Sequence, residues 1–213
     1  LAVTKQETES IKKYFKRPNI KIIENPFEFN RKTNKNIQRK FIYFGRINQI
    51  KNIDLIIKAF IASNPPKDWV LELYGIRDDE KYFEYLKNII VNSTISKQIF
   101  FKDPVFGEKK YKIIRSAWCN VLISKSEILS LSVLESLSVG TPSIANKEIY
   151  FPEWIKKTIY LSQIKVNNLK KSFKSIMNQK TSDRNLMSEK IIKNFDKNFS
   201  IKNIKNKYLD YVK

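Results

Sequence analysis

Between residues 38 and 162 the apolar positions fall into two alternating patterns. Short continuous runs of strand length are followed by segments where apolar residues recur every three or four positions. "FIYFG" (41–45) reads as a buried strand ending on glycine, and "NIDLIIKAFIAS" follows with Ile53, Ile56, Ile57, Phe60 and Ile61 on one helical stripe. "NPP" then breaks the chain. "WVLELYG" (69–75) is a second strand ending on glycine, and "EKYFEYLKNIIV" a helix with Phe83, Leu86 and Ile90 inward. "QIFFK" (98–102) and "EKKYKIIRSA" make the next strand and helix, and "CNVLIS" (119–124) and "LSVLESLSVG" the next, the latter helix closed by Gly140. "PSIAN" (142–146) and "TIYLS" (158–162) are the fifth and sixth strands.

This βαβα alternation predicts an α/β, Rossmann-like parallel sheet with helices on both faces. Such sheets bind ligands outside the carboxyl ends of their strands. Amphipathic helices are expected over about 166–178, 183–195 and 200–212, the last capped by Ser200. The first 30 residues break the rhythm. Thr4 and Glu7 form a capping-box pattern, and "IKIIENP" reads as a strand running into a turn. The expected organisation is therefore a segment over 1–30 that leaves a missing N-terminal domain, a Rossmann-like ligand-binding α/β domain over 31–195, and a crossover helix over 196–213. The opening Leu in place of Met fits a fragment of a longer protein.

Composition narrows the chemistry. The 213 residues contain no histidine, which removes His-based catalysis and His metal ligands from this segment. The single cysteine, Cys119, permits no internal disulfide and fits a reducing compartment. No apolar run approaches the roughly 20 residues that span a bilayer. The net charge of +20 attracts anions: nucleic acid, acidic lipid or phosphorylated metabolites. The lysines are spread along the whole chain, which reads as compositional bias with a tendency toward membrane surfaces rather than as a specific nucleic-acid site.

Two stretches carry candidate chemistry. In "GRINQIK", Gly45 lets the backbone turn sharply, and Arg46 and Lys51 flank the start of the next helix, where a guanidinium fork and an ammonium can hold a diphosphate. In "SKSEILSLSVLESLSVGTP", Glu127 falls in the loop after a strand, and Glu135 on the first or second turn of the following helix. Ser130 and Ser132 are small enough to leave the helix's first amides open to a phosphate. Each acid also has a local explanation: Glu127 as a solvated loop acid, Glu135 as the N3 partner of a capping box begun by Ser132. Together, and beside the Arg/Lys pair, they favour a polyhydroxylated, phosphorylated ligand, because carboxylates accept from vicinal hydroxyls while cations neutralise phosphate.

At this point the chain resembles the C-terminal, donor-binding half of a family 4 (group 1) retaining glycosyltransferase of GT-B fold. "FIYFGRINQIKNIDLIIKAF" resembles that family's strand–Gly-Arg–x4–Lys–helix element, "SEILSLSVLESLSVGTPSIA" its Glu–x7–Glu motif, and "NFSIKNIKNKYLDYV" its closing helix. The resemblance implies that Arg46 and Lys51 hold the donor diphosphate and stabilise the departing nucleotide. It implies that Glu127 faces the donor sugar hydroxyls and Glu135 the ribose, and that amides at Leu129, Ser130 and Leu131 touch the phosphates. The strand end around Phe101 and Lys102 is expected to meet the base.

The two acids are then hydroxyl-binding groups, not the acid and nucleophile of a glycosidase. The implied reaction moves a sugar from a nucleotide-diphosphate sugar to a glycan or lipid-linked acceptor, without cofactor or bound metal. The implied setting is cytoplasmic, with peripheral association at the inner face of the membrane and cell-envelope polysaccharide synthesis as the role. Ile128 stands where the family frequently has glycine, "NKEIYFPEWI" lacks the usual glycine pair before Glu153, and "FFKDP" also lacks glycine. Two other readings stay open: a Lys-rich, non-enzymatic module for nucleic acid or anionic polymer, and a degenerate domain that binds nucleotide-sugar without turnover.

Overall fold

In a computed structural model of the chain, the described residues are 5–15, 20, 36–127, 130–199, 205 and 209–210. The expected cap at Thr4, the strand at "IKIIENP" and most of the closing helix over 200–212 lie outside them.

After a helix α1 (Lys5–Tyr14) the regular part begins, with β1 (Gln38–Phe44), α2 (Ile53–Ala62), β2 (Val70–Tyr74), α3 (Glu80–Val91), β3 (Ile99–Lys102) and α4 (Gly107–Ser116). It continues through β4 (Ala117–Leu122), α5 (Leu131–Ser138), β5 (Ser143–Asn146), α6 (Glu153–Lys156), β6 (Tyr160–Ser162), α7 (Val166–Met177) and α8 (Thr181–Phe199). The six strands form one sheet in the order β3-β2-β1-β4-β5-β6, every pair parallel. The order reverses between β1 and β4, and ligands in open parallel sheets bind at the carboxyl ends flanking such a reversal.

Strand alternation divides β1 between two cores. Phe41 and Tyr43 enter a large cluster with Ile56, Ile57 and Phe60 of α2, Phe83 and Leu86 of α3, and Phe173 of α7. Ile42 and Phe44 face the other way, onto Ile114 of α4. α2 packs between α3 and α7, and α5 between α4 and α8. Phe41 stacks on Trp69 at 5.0 Å and meets Phe173 edge-on at 4.6 Å. With Phe41 fully buried, its truncation to Ala costs about 3–5 kcal/mol by loss of transfer energy and creation of a cavity.

The elements follow the apolar pattern closely, with two differences. A short helix, α6, forms where no helical stripe exists, and α8 runs from Thr181 to Phe199, longer than the expected 183–195. α5 is closed at Gly140, whose φ of +78° suits glycine. A Cβ there would also stand 2.3 Å from Ser188 Oγ, so glycine lets α8 approach.

Candidate functional site

The site begins where two strands end in glycine. Gly45 N–H donates to the Tyr74 carbonyl at 3.1 Å, and Ile47 N–H to the Ile76 carbonyl at 2.8 Å. The segments after β1 and β2 therefore keep running in parallel beyond the sheet, and Ile47 pairs with Arg77. This close approach dictates the residue at position 75: a Cβ on Gly75 would lie 1.7 Å from the Gly45 carbonyl oxygen. A Cβ on Gly45 would meet the Tyr43 hydroxyl at 2.6 Å, and that hydroxyl donates to the Arg46 carbonyl at 2.7 Å. Burial, with the Glu127 charge next in weight, raises the Tyr43 pKa far above the usual phenol range, so it stays a neutral donor. Asp78, on the second segment, meets the Arg46 guanidinium at 3.2 Å and accepts from Asn48 Nδ2 at 3.3 Å.

The turn after β1 is then stitched to the loop after β4. Asn52 caps α2 in the left-handed region, at φ +50°, a conformation that asparagine adopts more readily than most residues. Its side-chain amide donates to the Ile123 carbonyl at 2.7 Å, and Lys125 N–H donates to the Ile50 carbonyl at 2.9 Å. Asn146 Nδ2 holds the Ser124 carbonyl from β5 at 3.0 Å. These bonds bring together two residues 76 positions apart: Lys51 Nζ donates to Glu127 Oε1 at 2.5 Å. On the far side of the same space Lys110 Nζ donates to both Glu135 oxygens, at 2.7 and 2.6 Å.

Arg46, Lys51, Glu127 and Glu135 all line one cavity of about 370 Å³, together with Gly45, Gly75, Lys110, Leu131 and Ser132. That volume falls in the range of small-molecule sites. Phe44, Tyr74 and the Pro104–Phe106 segment form its apolar wall. Phe44 and Tyr74 stack at 4.7 Å. Phe106 is 74% exposed at the rim. The two acids are 14% and 15% exposed, partly withdrawn from water, and each is met by a lysine. Arg46 is 65% exposed and held at the rim by its ion pair with Asp78.

α5 aims its amino end at this space. Ser130 is the N-cap; its carbonyl receives Val133 N–H at 3.0 Å and Leu134 N–H at 3.1 Å, but its buried hydroxyl makes no capping bond. The amides of Leu131 and Ser132 precede the first intrahelical bond and are the natural anion donors of the helix start. Ser132 thus lies inside the helix, and Glu135 turns to Lys110. The capping-box explanation of Glu135 is accordingly corrected, because the helix begins two residues earlier than that box requires.

Other expected positions are distributed as follows. Gly45 and Leu131 line the cavity; Ser130 stands beside it as the cap without lining it. Leu129 lies outside the described residues. Phe101 and Lys102 do not line the cavity. Phe101 turns inward and packs edge-on against Phe83 at 4.7 Å, while Lys102 lies over the Phe100 ring at 5.1 Å. The residues of this region that line the cavity are those just past the strand, Pro104, Val105 and Phe106. Glu153 opens α6 on the surface, paired with Lys156 at 2.7 Å, outside the cavity. Lys110, Asp78 and Gly75 were not anticipated. Gly75 and Asp78 had a signal, since "YFGRIN" and "LYGIRDD" are similar strand ends. Lys110 had none, sitting in a lysine-rich helix. Among the described residues no group of three or more His, Cys, Asp or Glu could hold a metal ion.

A family model, Glycosyl transferases group 1, matches residues 24–194, and the chain belongs to that family. The comparison with curated proteins finds no match. Among solved structures the fold is similar to a TarM variant from S. aureus in complex with Fondaparinux, alpha-GlcNAc-glycerol and UDP, with TM-score 0.83 and 19% identity over 98% of this chain and 42% of that one. It is also similar to Anabaena Alr3699/HepE in complex with UDP-glucose, with TM-score 0.75 and 13% identity over 90% of this chain and 57% of that one. A third is the C-terminal domain of a glycosyl transferase group 1 family protein, LpcC, from Francisella tularensis, with TM-score 0.69 and 19% identity over 78% of this chain and 88% of that one. The six-stranded parallel sheet with its helices is a Rossmann-like α/β fold that matches those of GT-B glycosyltransferases, and the chain spans about two fifths of the TarM chain (42%).

Proposed function

We propose that this chain is the donor-binding domain of a retaining glycosyltransferase that moves a sugar from a nucleotide-diphosphate sugar to a glycan or lipid-linked acceptor. The observation that carries the reading is the grouping of Arg46, Lys51, Glu127 and Glu135 around one cavity at the switch point of the sheet. Bound there, a diphosphate would draw Lys51 from Glu127 and Arg46 from Asp78, and it would meet the amino end of α5. Glu127 and Glu135 would then accept hydrogen bonds from the sugar and ribose hydroxyls.

Catalysis in this reading is electrostatic. Negative charge grows on the leaving diphosphate as the bond to the anomeric carbon breaks, and prepositioned cations and helix amides stabilise it in place of a metal. The acceptor hydroxyl and the group that takes its proton belong to a partner domain. The excess of cations over acids, 41 to 21, suits work at an anionic cytoplasmic membrane face, and none of the described helices is long and apolar enough to cross a membrane.

Titration calorimetry with UDP, GDP and ADP and their hexose conjugates tests the reading. Binding of a diphosphate with matched thermal protection supports it. Nucleic-acid binding with a steep salt dependence and no nucleotide response rejects it in favour of a polyanion-binding module. The anomeric configuration of the product formed by the longer protein decides retention, and absence of turnover there identifies a binding domain without activity.

A further inference from the structure

Helix α4 supplies the one cavity cation that no motif accounts for. Lys110 stands one turn into α4, and its Nζ spans both oxygens of Glu135 at 2.7 and 2.6 Å. The pair is enclosed, the lysine 20% and the acid 15% exposed, and Nζ lies 5.4 Å from the centre of the Phe44 ring, which limits where the ammonium can move. Among the described residues Lys110 is the hydrogen-bond partner of that carboxylate. An ionised carboxylate offers about four acceptor positions. Lys110 occupies two of them, one on each oxygen, so the carboxylate plane is held while two positions remain for incoming hydroxyls. A vicinal diol presents two donors at matching spacing. Without the lysine a half-enclosed carboxylate is free to rotate and loses its counter-charge.

We propose that Lys110 is a positioning residue: it fixes the Glu135 carboxylate for the ribose diol of the nucleotide, so that α4 sets the preference of the site for ribonucleotides over deoxyribonucleotides. This rests on the donor-site reading above. The competing account is that the pair only ties α4 to α5, which pack against each other.

The test is calorimetry on the full chain with UDP, GDP and ADP and the 2′-deoxy form of whichever binds, for wild type, Lys110→Met, Lys110→Gln and Glu135→Gln, each with a thermal melt. Hydrogen bonds to a charged acceptor make the wild type prefer the ribose form by roughly tenfold or more. Lys110→Met is expected to reduce that preference to about threefold or less, as Glu135→Gln does, and Lys110→Gln, which retains an uncharged amide donor, to an intermediate value. If Lys110→Met does not fold, Lys110→Gln gives the reading. A preference that survives loss of the lysine while the melting temperature drops leaves only the helix tie and overturns the proposal, as does a wild type that does not distinguish the two sugars. A wild type that binds none of the diphosphates overturns the donor reading, and this inference with it.

Discussion

Charge is enclosed at both ends of the sheet, and the two ends treat it differently. At the carboxyl rim, two lysines and two acids form pairs that face a cavity, with Arg46 and Asp78 at its edge. At the amino ends of β4 and β5, Arg184 of α8 is enclosed, 1% exposed, with no carboxylate among the described hydrogen-bond partners of its guanidinium. Its guanidinium donates to the carbonyls of Trp118 at 2.7 Å, Ala117 at 3.2 Å and Gly140 at 3.2 Å. Burial pulls its pKa down to about 10, which leaves it charged at neutral pH. The contrast separates charge committed to the backbone from charge that the proposed donor could re-pair. Arg184 satisfies carbonyls that no ligand will replace, so it joins α8 to the sheet. The rim cations are neutralised by carboxylates, and a phosphate can take the carboxylate's place while a hydroxyl takes the cation's.

The sharpest way to break this comparison is to exchange the two roles by mutation. Arg184→Met should destabilise the domain most, by about 3–5 kcal/mol, because three buried carbonyls lose their donors. Urea unfolding measures it, and a loss under about 1 kcal/mol would mean that the buried guanidinium is dispensable. Lys51→Ala should weaken nucleoside-diphosphate binding by roughly 10- to 100-fold, the worth of a charge-assisted bond, in a domain that still melts cooperatively. Calorimetry that finds unchanged affinity would remove it from the site. Arg46→Ala should divide the two effects most cleanly: affinity falls about tenfold, while stability stays within about 0.5 kcal/mol because the side chain is mostly in water.

The smallest effect concerns pH at the amino end. Cys119 is fully buried beside Arg184, and burial pushes its thiol up from 9 to about 12. Between those values the folded chain keeps a proton that the unfolded chain releases. Stability from this group is therefore complete below about pH 9 and declines as pH rises toward 12. Buried Tyr43, Tyr74 and Tyr82, whose pKa values burial also raises, act in the same direction. Urea midpoints at pH 8 and 10 should differ less in Cys119→Ala than in the wild type, and native Cys119 should resist alkylation until the chain unfolds.

Some of this was open to reading before any coordinates. Strand-length apolar runs ending on Gly45 and Gly75, and helices striped at three and four residues, predict the alternation because burial imposes its period on local sequence. The Gly-Arg–x4–Lys and Glu–x7–Glu spacings pick out Arg46, Lys51, Glu127 and Glu135 for a related reason: each motif spans one strand end and one helix start, so its geometry is local. Phe101 and Lys102 show the limit of that reading, since a strand end is near the rim but the side that each residue faces depends on the pleat and on the turn beyond it.

Sequence by itself thus determined the class of fold and four charged residues at the mouths of two βα turns. Only the tertiary structure decided how they are joined. The pairing of Lys51 with Glu127 across 76 residues, the arrival of Lys110 at Glu135, and the clearance that makes Gly75 necessary all depend on β1 lying between β2 and β4. Strand order arises from the packing of whole layers, and local periodicity carries no record of which strand will be the neighbour.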